Sequence, residues 1–162
     1  MSRTSAGLLL YRLAGRGPEV LLGHMGGPFW ARKDDGAWSV PKGEHGPEED
    51  PHDAALREFR EETGSLPAPD GPDLDLGTAR QSAKTVRVFA RRGDLDADAV
   101  VSNTFQLELP RGSGRMVAFP EIDRARWVDL AEARRLLVRG QVVFVDRLEQ
   151  ALAAPPGEAP AY

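Results

Sequence analysis

Apolar residues fall into short runs between turn-forming residues in the first half of this chain, and recur at helical spacing near its end. Gly7–Leu13 reads as a strand and Val20–His24 as a second, joined through the turn residues Gly15-Arg16-Gly17-Pro18. Trp38–Val40 reads as a short third strand that Pro41 stops. Further strands are expected at Leu76–Ala79, Thr85–Ala90, Thr104–Leu109 and around Arg126–Val128, after a Pro/Gly/Asp-rich loop at Pro67–Pro72. Leu130–Val138 and Val142–Leu152 show the helical period. A helix from Pro51 to Thr63 has both ends written in the sequence. Asp50 suits the N-cap, Pro51 the first helical position, and Gly64 the left-handed residue that ends a helix. Glu48 to Asp50 and Asp53 put negative charge where the helix dipole favours it. With no repeat and no linker, the pattern predicts one α/β domain with a mixed sheet over residues 1–153. An Ala/Pro-rich, flexible tail is expected at 154–162.

The length of 162 residues agrees with a single domain, since one domain takes roughly 150. With 41% hydrophobic and 28% charged residues, the chain has a globular balance and not a disordered one. The cysteine count of 0 excludes disulfides, thiolate zinc sites, iron–sulfur clusters and a cysteine nucleophile. A formal net charge of −4 provides no global basic field, so duplex nucleic acid is not an expected partner. No segment approaches the roughly 20 apolar residues that span a bilayer. The run Ala6–Tyr11 is too brief for a secretory signal. No membrane partner is expected, and the cytoplasm is the expected compartment. An acidic protein acting on an anionic substrate would need a cation between them.

On the Pro51–Thr63 helix, Glu58, Glu61 and Glu62 share one face, being related by three and four residues. Ala55, Leu56 and Phe59 fill the neighbouring apolar arc, which would dock on the sheet, and Arg57 flanks the carboxylates. Each like-charged pair at this spacing costs roughly 0.2–0.5 kcal/mol on an exposed helix. Two readings account for the cluster: a solvated acidic face partly neutralised by Arg57 and Arg60, or oxygen ligands for a hard divalent cation.

The wider spacing favours the second. Gly43, five residues, Glu49, seven residues, then Arg57-Glu58-Phe59-Arg60-Glu61-Glu62-Thr63-Gly64 closely resembles the Nudix box of the Nudix hydrolases. Ser65 departs from the aliphatic residue usual after the final glycine, which affects a packing contact and not a ligand. The resemblance implies a Nudix-type α/β/α sandwich with a mixed β-sheet in a single domain. It implies Mg²⁺-dependent hydrolysis of a nucleoside diphosphate linked to another moiety, with nucleoside triphosphates and dinucleoside polyphosphates foremost and Mn²⁺ a possible substitute. By the same likeness Glu58, Glu61 and Glu62 match the metal-binding carboxylates, and Glu49 a more peripheral one. Arg57 matches the arginine that orients a glutamate, Gly43 the glycine that bends the loop, and the Lys42 carbonyl a frequent metal ligand. The general base is expected at Glu58 or Glu61. Glu121 is the next candidate, with a plain surface charge as its other reading. The Pro41-Lys42-Gly43 lead-in occurs among diadenosine polyphosphate and other nucleotide hydrolases. Rival readings are an enzyme trimming RNA 5′ ends and a non-catalytic nucleotide-sensing or partner-binding module, against which the intact carboxylate set speaks.

Outside the box, the loop from Gly26 to Gly36 holds Phe29, Trp30, Arg32 and Lys33. These and the Lys42 side chain are candidate substrate contacts. The other reading of the loop is a hairpin tip whose aromatics pack on the domain. This loop and the stretch Val101–Glu121 are the expected substrate selectors. His24, His45 and His52 lack metal-ligand spacing and are expected in loops or at the surface. Ser39 and Ser102 lack a nucleophile-elbow context, and Gly112-Ser113-Gly114 reads as a turn flanked by Arg111 and Arg115. A homodimer is the commonest assembly for such a chain.

Overall fold

The structure is a computed structural model that describes residues 3–154. Two long strands form its spine: β1 (Arg3–Ala14) runs parallel to β6 (Lys84–Arg92), from Arg3 beside Lys84 to Tyr11 beside Arg92. This pairing extends β1 beyond the apolar run, because the main chain of Arg3 to Ala6 also finds ladder partners. On one side of the spine, β5 (Leu74–Gln81) pairs antiparallel with β6. The other side forks. Ser5 to Gly7 of β1 pair with β4 (Lys42–Glu44), whereas Tyr11 to Ala14 pair with β2 (Gly17–Met25). From there β2 carries β3 (Trp38–Ser39) and β9 (Ile122–Asp129). The sheet therefore opens between β4 and the end of β2. A separate hairpin, β7 (Thr104–Glu108) with β8 (Met116–Pro120), lies apart from the main sheet.

Strand alternation divides the core into two layers. Ala6, Leu8, Leu10, Leu21 and Phe89 face the helix α1 (Pro51–Thr63), against its Ala54, Ala55 and Phe59. Leu9, Val20, Leu22, Val86 and Val88 face the opposite way. There α2 (Leu130–Leu136) and α3 (Val142–Ala153) bury Ala133, Leu136, Phe144, Val145 and Leu148. The result is the α/β/α sandwich with a mixed sheet. No helix among the described residues is long and apolar enough to cross a membrane.

The α1 boundaries agree with the sequence. Asp50 accepts from the Asp53 amide at 3.1 Å, Pro51 opens the helix, and Gly64 closes it at φ 87° with its amide on the Arg60 carbonyl. Two strands were not foreseen. β4 reads Lys42-Gly43-Glu44, with no apolar alternation, and forms because β1 offers it a ladder. β8 forms as the return arm of the β7 hairpin. α2 stops at Leu136 and not at Val138, since Leu137 turns extended and its amide returns to the Ala133 carbonyl. Of the expected tail, Ala154 is the C-cap of α3, and residues 155–162 lie outside the described residues.

Candidate active site

The fork in the sheet holds a cleft of about 360 Å³. One branch contributes Ser5, Lys42, Gly43 and Glu44, and the other Gly23, Met25, Ser39 and Ile122. Glu58, Glu61 and Glu62 enter from α1, Lys84 from β6, and Asn103 and Glu121 from the base of the β7–β8 hairpin.

Two contacts seat α1 on β4. The Lys42 amide donates to Glu62 Oε1 at 3.2 Å. The Glu58 carboxylate lies directly against Gly43, so that a Cβ there would push the carboxylate out of its present place. Arg57 then gathers the remaining carboxylates. Its Nε and Nη2 donate to the two Glu49 oxygens at 2.8 and 2.9 Å, a bidentate pair. Its Nη1 donates to Glu58 Oε1 at 2.8 Å and to Glu61 Oε1 at 3.2 Å. The last carbonyls of α1 are satisfied from the hairpin base, Asn103 donating to Glu61 O at 2.9 Å and Val101 to Thr63 O at 3.0 Å. The Glu121 carbonyl accepts from the Gly26 amide at 3.0 Å, which ties the hairpin to the loop that follows β2.

The electrostatics set these carboxylates apart from one another. Glu58 is 8% exposed, and burial raises its pKa despite Arg57; the charges of Glu61 and Glu121 add to the rise. Burial pushes Glu62 up to about 8, opposed by Lys42 and reinforced by Glu58 and Glu121. Lys42 is lowered, first by burial and also by the neighbouring charge of Lys84. The Arg57 hydrogen bond holds Glu49 below the usual carboxylate range. Burial and mutual repulsion make the site disfavour its own negative charge. Among the described residues, no three acidic or histidine side chains converge closely enough to hold a metal ion as they stand. The Arg57 guanidinium lies between Glu49, Glu58 and Glu61.

The fold thus brings Lys42, Glu58, Glu61, Glu62 and Glu121 to one cleft, with Arg57 and Glu49 joined to them by ion pairs. It does not bring Phe29, Trp30, Arg32 or Lys33 there. Trp30 packs against the core layer under α2 and α3, as the hairpin-tip reading expects. Phe29 is 66% exposed, set edge-on to Trp30, with the Lys33 ammonium 3.5 Å from its ring centre. Arg32 is exposed.

One expectation is corrected: His24 is fully buried and not a surface or loop residue. Its Nε2 donates to the Lys33 carbonyl at 2.7 Å, and its Nδ1 lies 2.8 Å from Asp123 Oδ1, so it anchors the 26–36 loop to β9. Asn103 lies in the Val101–Glu121 stretch expected to select substrate, whereas sequence reasoning missed Ser5, Glu44 and Lys84 as cleft residues. Each of these three arrives through strand pairing, for which the local sequence carries no signal.

The comparisons with known proteins agree with this geometry. The NUDIX domain family matches residues 1–148. An RNA pyrophosphohydrolase of Gluconacetobacter diazotrophicus is 31% identical over 149 residues, which cover 79% of this chain and 77% of that protein. A Caenorhabditis elegans Ap4A hydrolase superposes with a TM-score of 0.63 at 21% identity, covering 92% of this chain and 98% of that one. The NUDIX domain of Shewanella oneidensis NrtR, complexed with ADP ribose, gives a TM-score of 0.61 at 14% identity, over 94% and 90% of the two chains. Matched along nearly its whole length, and with Glu58, Glu61 and Glu62 of the box lining one cleft, the chain belongs to the Nudix family and is one of its pyrophosphohydrolases.

Proposed function

We propose that the cleft hydrolyses a pyrophosphate bond in a nucleoside diphosphate derivative with the help of Mg²⁺. The observation that carries this reading is the meeting of Glu58, Glu61 and Glu62 with Lys42 in one cleft. The donors are all oxygens, as a hard cation requires. Burial already pushes Glu58 and Glu62 towards their neutral forms, a cost that a bound cation would reverse. Glu58, Glu61, Glu62 and the Lys42 carbonyl would hold the cation, with Glu49 more peripheral. Arg57 would have to release part of its hold on Glu58 and Glu61 as they turn to it. Such a cation neutralises phosphate oxygens and makes water a better nucleophile.

The chain's own residues then divide the work. Glu58 or Glu61 takes the proton of the attacking water, with Glu121, carried by a different element, the next candidate. Lys42 faces the phosphate chain. Arg57 positions the glutamates. Phe29, Trp30, Arg32 and Lys33 are assigned to whatever part of the substrate projects beyond the cleft, such as a base or a second nucleoside. The homodimer expected on frequency is a separate matter for sedimentation. A cytoplasmic setting belongs to the same proposal.

The 31% identical RNA pyrophosphohydrolase supports a second reading, removal of pyrophosphate from RNA 5′ ends, which uses the same chemistry. Purified protein with Mg²⁺ should cleave at least one of a nucleoside triphosphate, a dinucleoside polyphosphate, ADP-ribose and 5′-triphosphorylated RNA. The preferred substrate separates the two readings. No turnover on any of the four would reject both.

A further inference from the structure

The cleft contains a polar atom that nothing in the protein satisfies. Ser5 is 1% exposed, and its hydroxyl is the one buried side-chain nitrogen or oxygen among the described residues without a hydrogen-bond partner. Burying a hydroxyl unpaired is unfavourable, and native proteins seldom do so without a reason. Ser5 lines the same cleft as the α1 carboxylates.

The sheet register identifies its neighbours. Ser5 stands opposite Glu44 of β4, and Gly7 stands opposite Lys42, so Ser5, Glu44 and Lys42 share one face. A Cβ on Gly7 would lie 2.9 Å from the Lys42 Cβ, so the bare glycine makes room for that side chain. Lys84, paired with Arg3 at the start of β6, lines the cleft as well. Its ammonium lies 3.3 Å from Glu44 Oε1, which also accepts from Arg3 Nη1 at 3.2 Å. Two cations thus share one carboxylate, which leaves a positive charge over. Lys42 is close enough that the charge of Lys84 opposes its own. Lys42 and Lys84 are the basic residues that line the cleft. Like charges side by side next to an unpaired hydroxyl are unfavourable. An anionic oxygen relieves both problems, because it draws the two ammonium groups together and accepts the hydroxyl hydrogen.

We propose that Ser5 and Lys84, with Lys42 beside them, form a subsite for the substrate's phosphoryl group farthest from Glu58, Glu61 and Glu62. The assignment rests on the reading of the cleft as a pyrophosphate-cleaving site and adds a residue-level basis for selecting phosphate-chain length. Ser5 Oγ donates to a non-bridging oxygen and Lys84 Nζ supplies charge. A substrate whose chain is one phosphoryl group shorter leaves both unmet.

The test uses inorganic imidotriphosphate and imidodiphosphate, whose P–N–P bridges resist hydrolysis, titrated calorimetrically into the full chain with Mg²⁺. The unsubstituted protein should bind the three-phosphorus probe more tightly than the two-phosphorus probe. Ser5→Ala and Lys84→Met should each weaken the longer probe roughly tenfold, and change the shorter one by less than about twofold. Lys84→Arg should retain most of the longer probe's affinity. Ser5→Ala should melt no lower than the unsubstituted protein, because it removes an unsatisfied group. Affinity for the longer probe within about twofold of the original in both variants would overturn the proposal. So would equal losses for both probes. Because binding is read without turnover, failure of the nucleotide panel and failure of this subsite are told apart.

Discussion

The helices α1 and α3 lie against opposite faces of one sheet and bury different chemistry there. α3 places Phe144, Val145 and Leu148 in a layer with Leu9, Leu22, Trp38 and Val88, and buries no charge. Its Arg147 reaches outward to the Leu76 and Thr78 carbonyls. α1 places Ala54, Ala55 and Phe59 against the sheet in the same manner, then buries Glu58 on the next turn and brings Glu62 to the β4 backbone. Any apolar residue at those two positions would avoid the desolvation that raises both carboxyls. One helix stabilises the sheet, and the other gives up stability to hold charge beside a cleft. Substitutions on the two faces should therefore separate: activity without stability on α1, stability without activity on α3.

The largest expected effect is on turnover. Glu62→Gln should lower kcat by roughly two to four orders of magnitude, with a melting temperature equal to or above that of the parent. Steady-state kinetics beside a thermal melt checks both halves. A large drop in stability would show that Glu62 supports the fold, and would erase the contrast with α3. The mirror experiment is Phe144→Ala, which should cost about 3–5 kcal/mol in urea unfolding and leave KM unchanged in the folded fraction.

How far the sequence reveals each face follows from how local its cause is. The α1 ends, the carboxylate face and the Glu49–Arg57 spacing are local, because caps and helical period act within a few residues. β4 and the corner made by Arg3, Ser5 and Lys84 are not, because they exist only once β1 has paired with strands from distant parts of the chain. His24 was legible and overlooked. It continues the alternation of Val20 and Leu22 onto the core face, where its two ring nitrogens find Asp123 and the Lys33 carbonyl. The aromatic loop could not be placed, since composition shows what a loop carries and not which side of the sheet it meets. His24 fixes that instead.

A smaller change sharpens the comparison at the entrance to α1. Asp50→Ala removes the acceptor for the Asp53 amide and should cost about 1 kcal/mol, measured by chemical unfolding. The smallest signature is in pH. Folded Glu62 keeps its proton up to about 8, above the ordinary carboxylate range, so without a cation its contribution to stability falls as pH rises through that interval. The Lys42 charge opposes this rise of the Glu62 carboxyl, so removing it lets Glu62 rise further. Lys42→Met should therefore expose a steeper loss of melting temperature from pH 5 to pH 8 than the parent shows. Added Mg²⁺ should flatten it. A slope unchanged by the substitution would uncouple the two groups.

The central claim is that the carboxylates of α1 act through a divalent cation. The most direct measurement is the rate of pyrophosphate cleavage against Mg²⁺ concentration, on the best substrate of the panel, for the parent and for Glu62→Gln. The account predicts a saturable rise in rate for the parent, abolished by a chelator, and a strongly reduced rate for the variant at every concentration. Cleavage that persists in chelator, or a variant as fast as the parent, would contradict it.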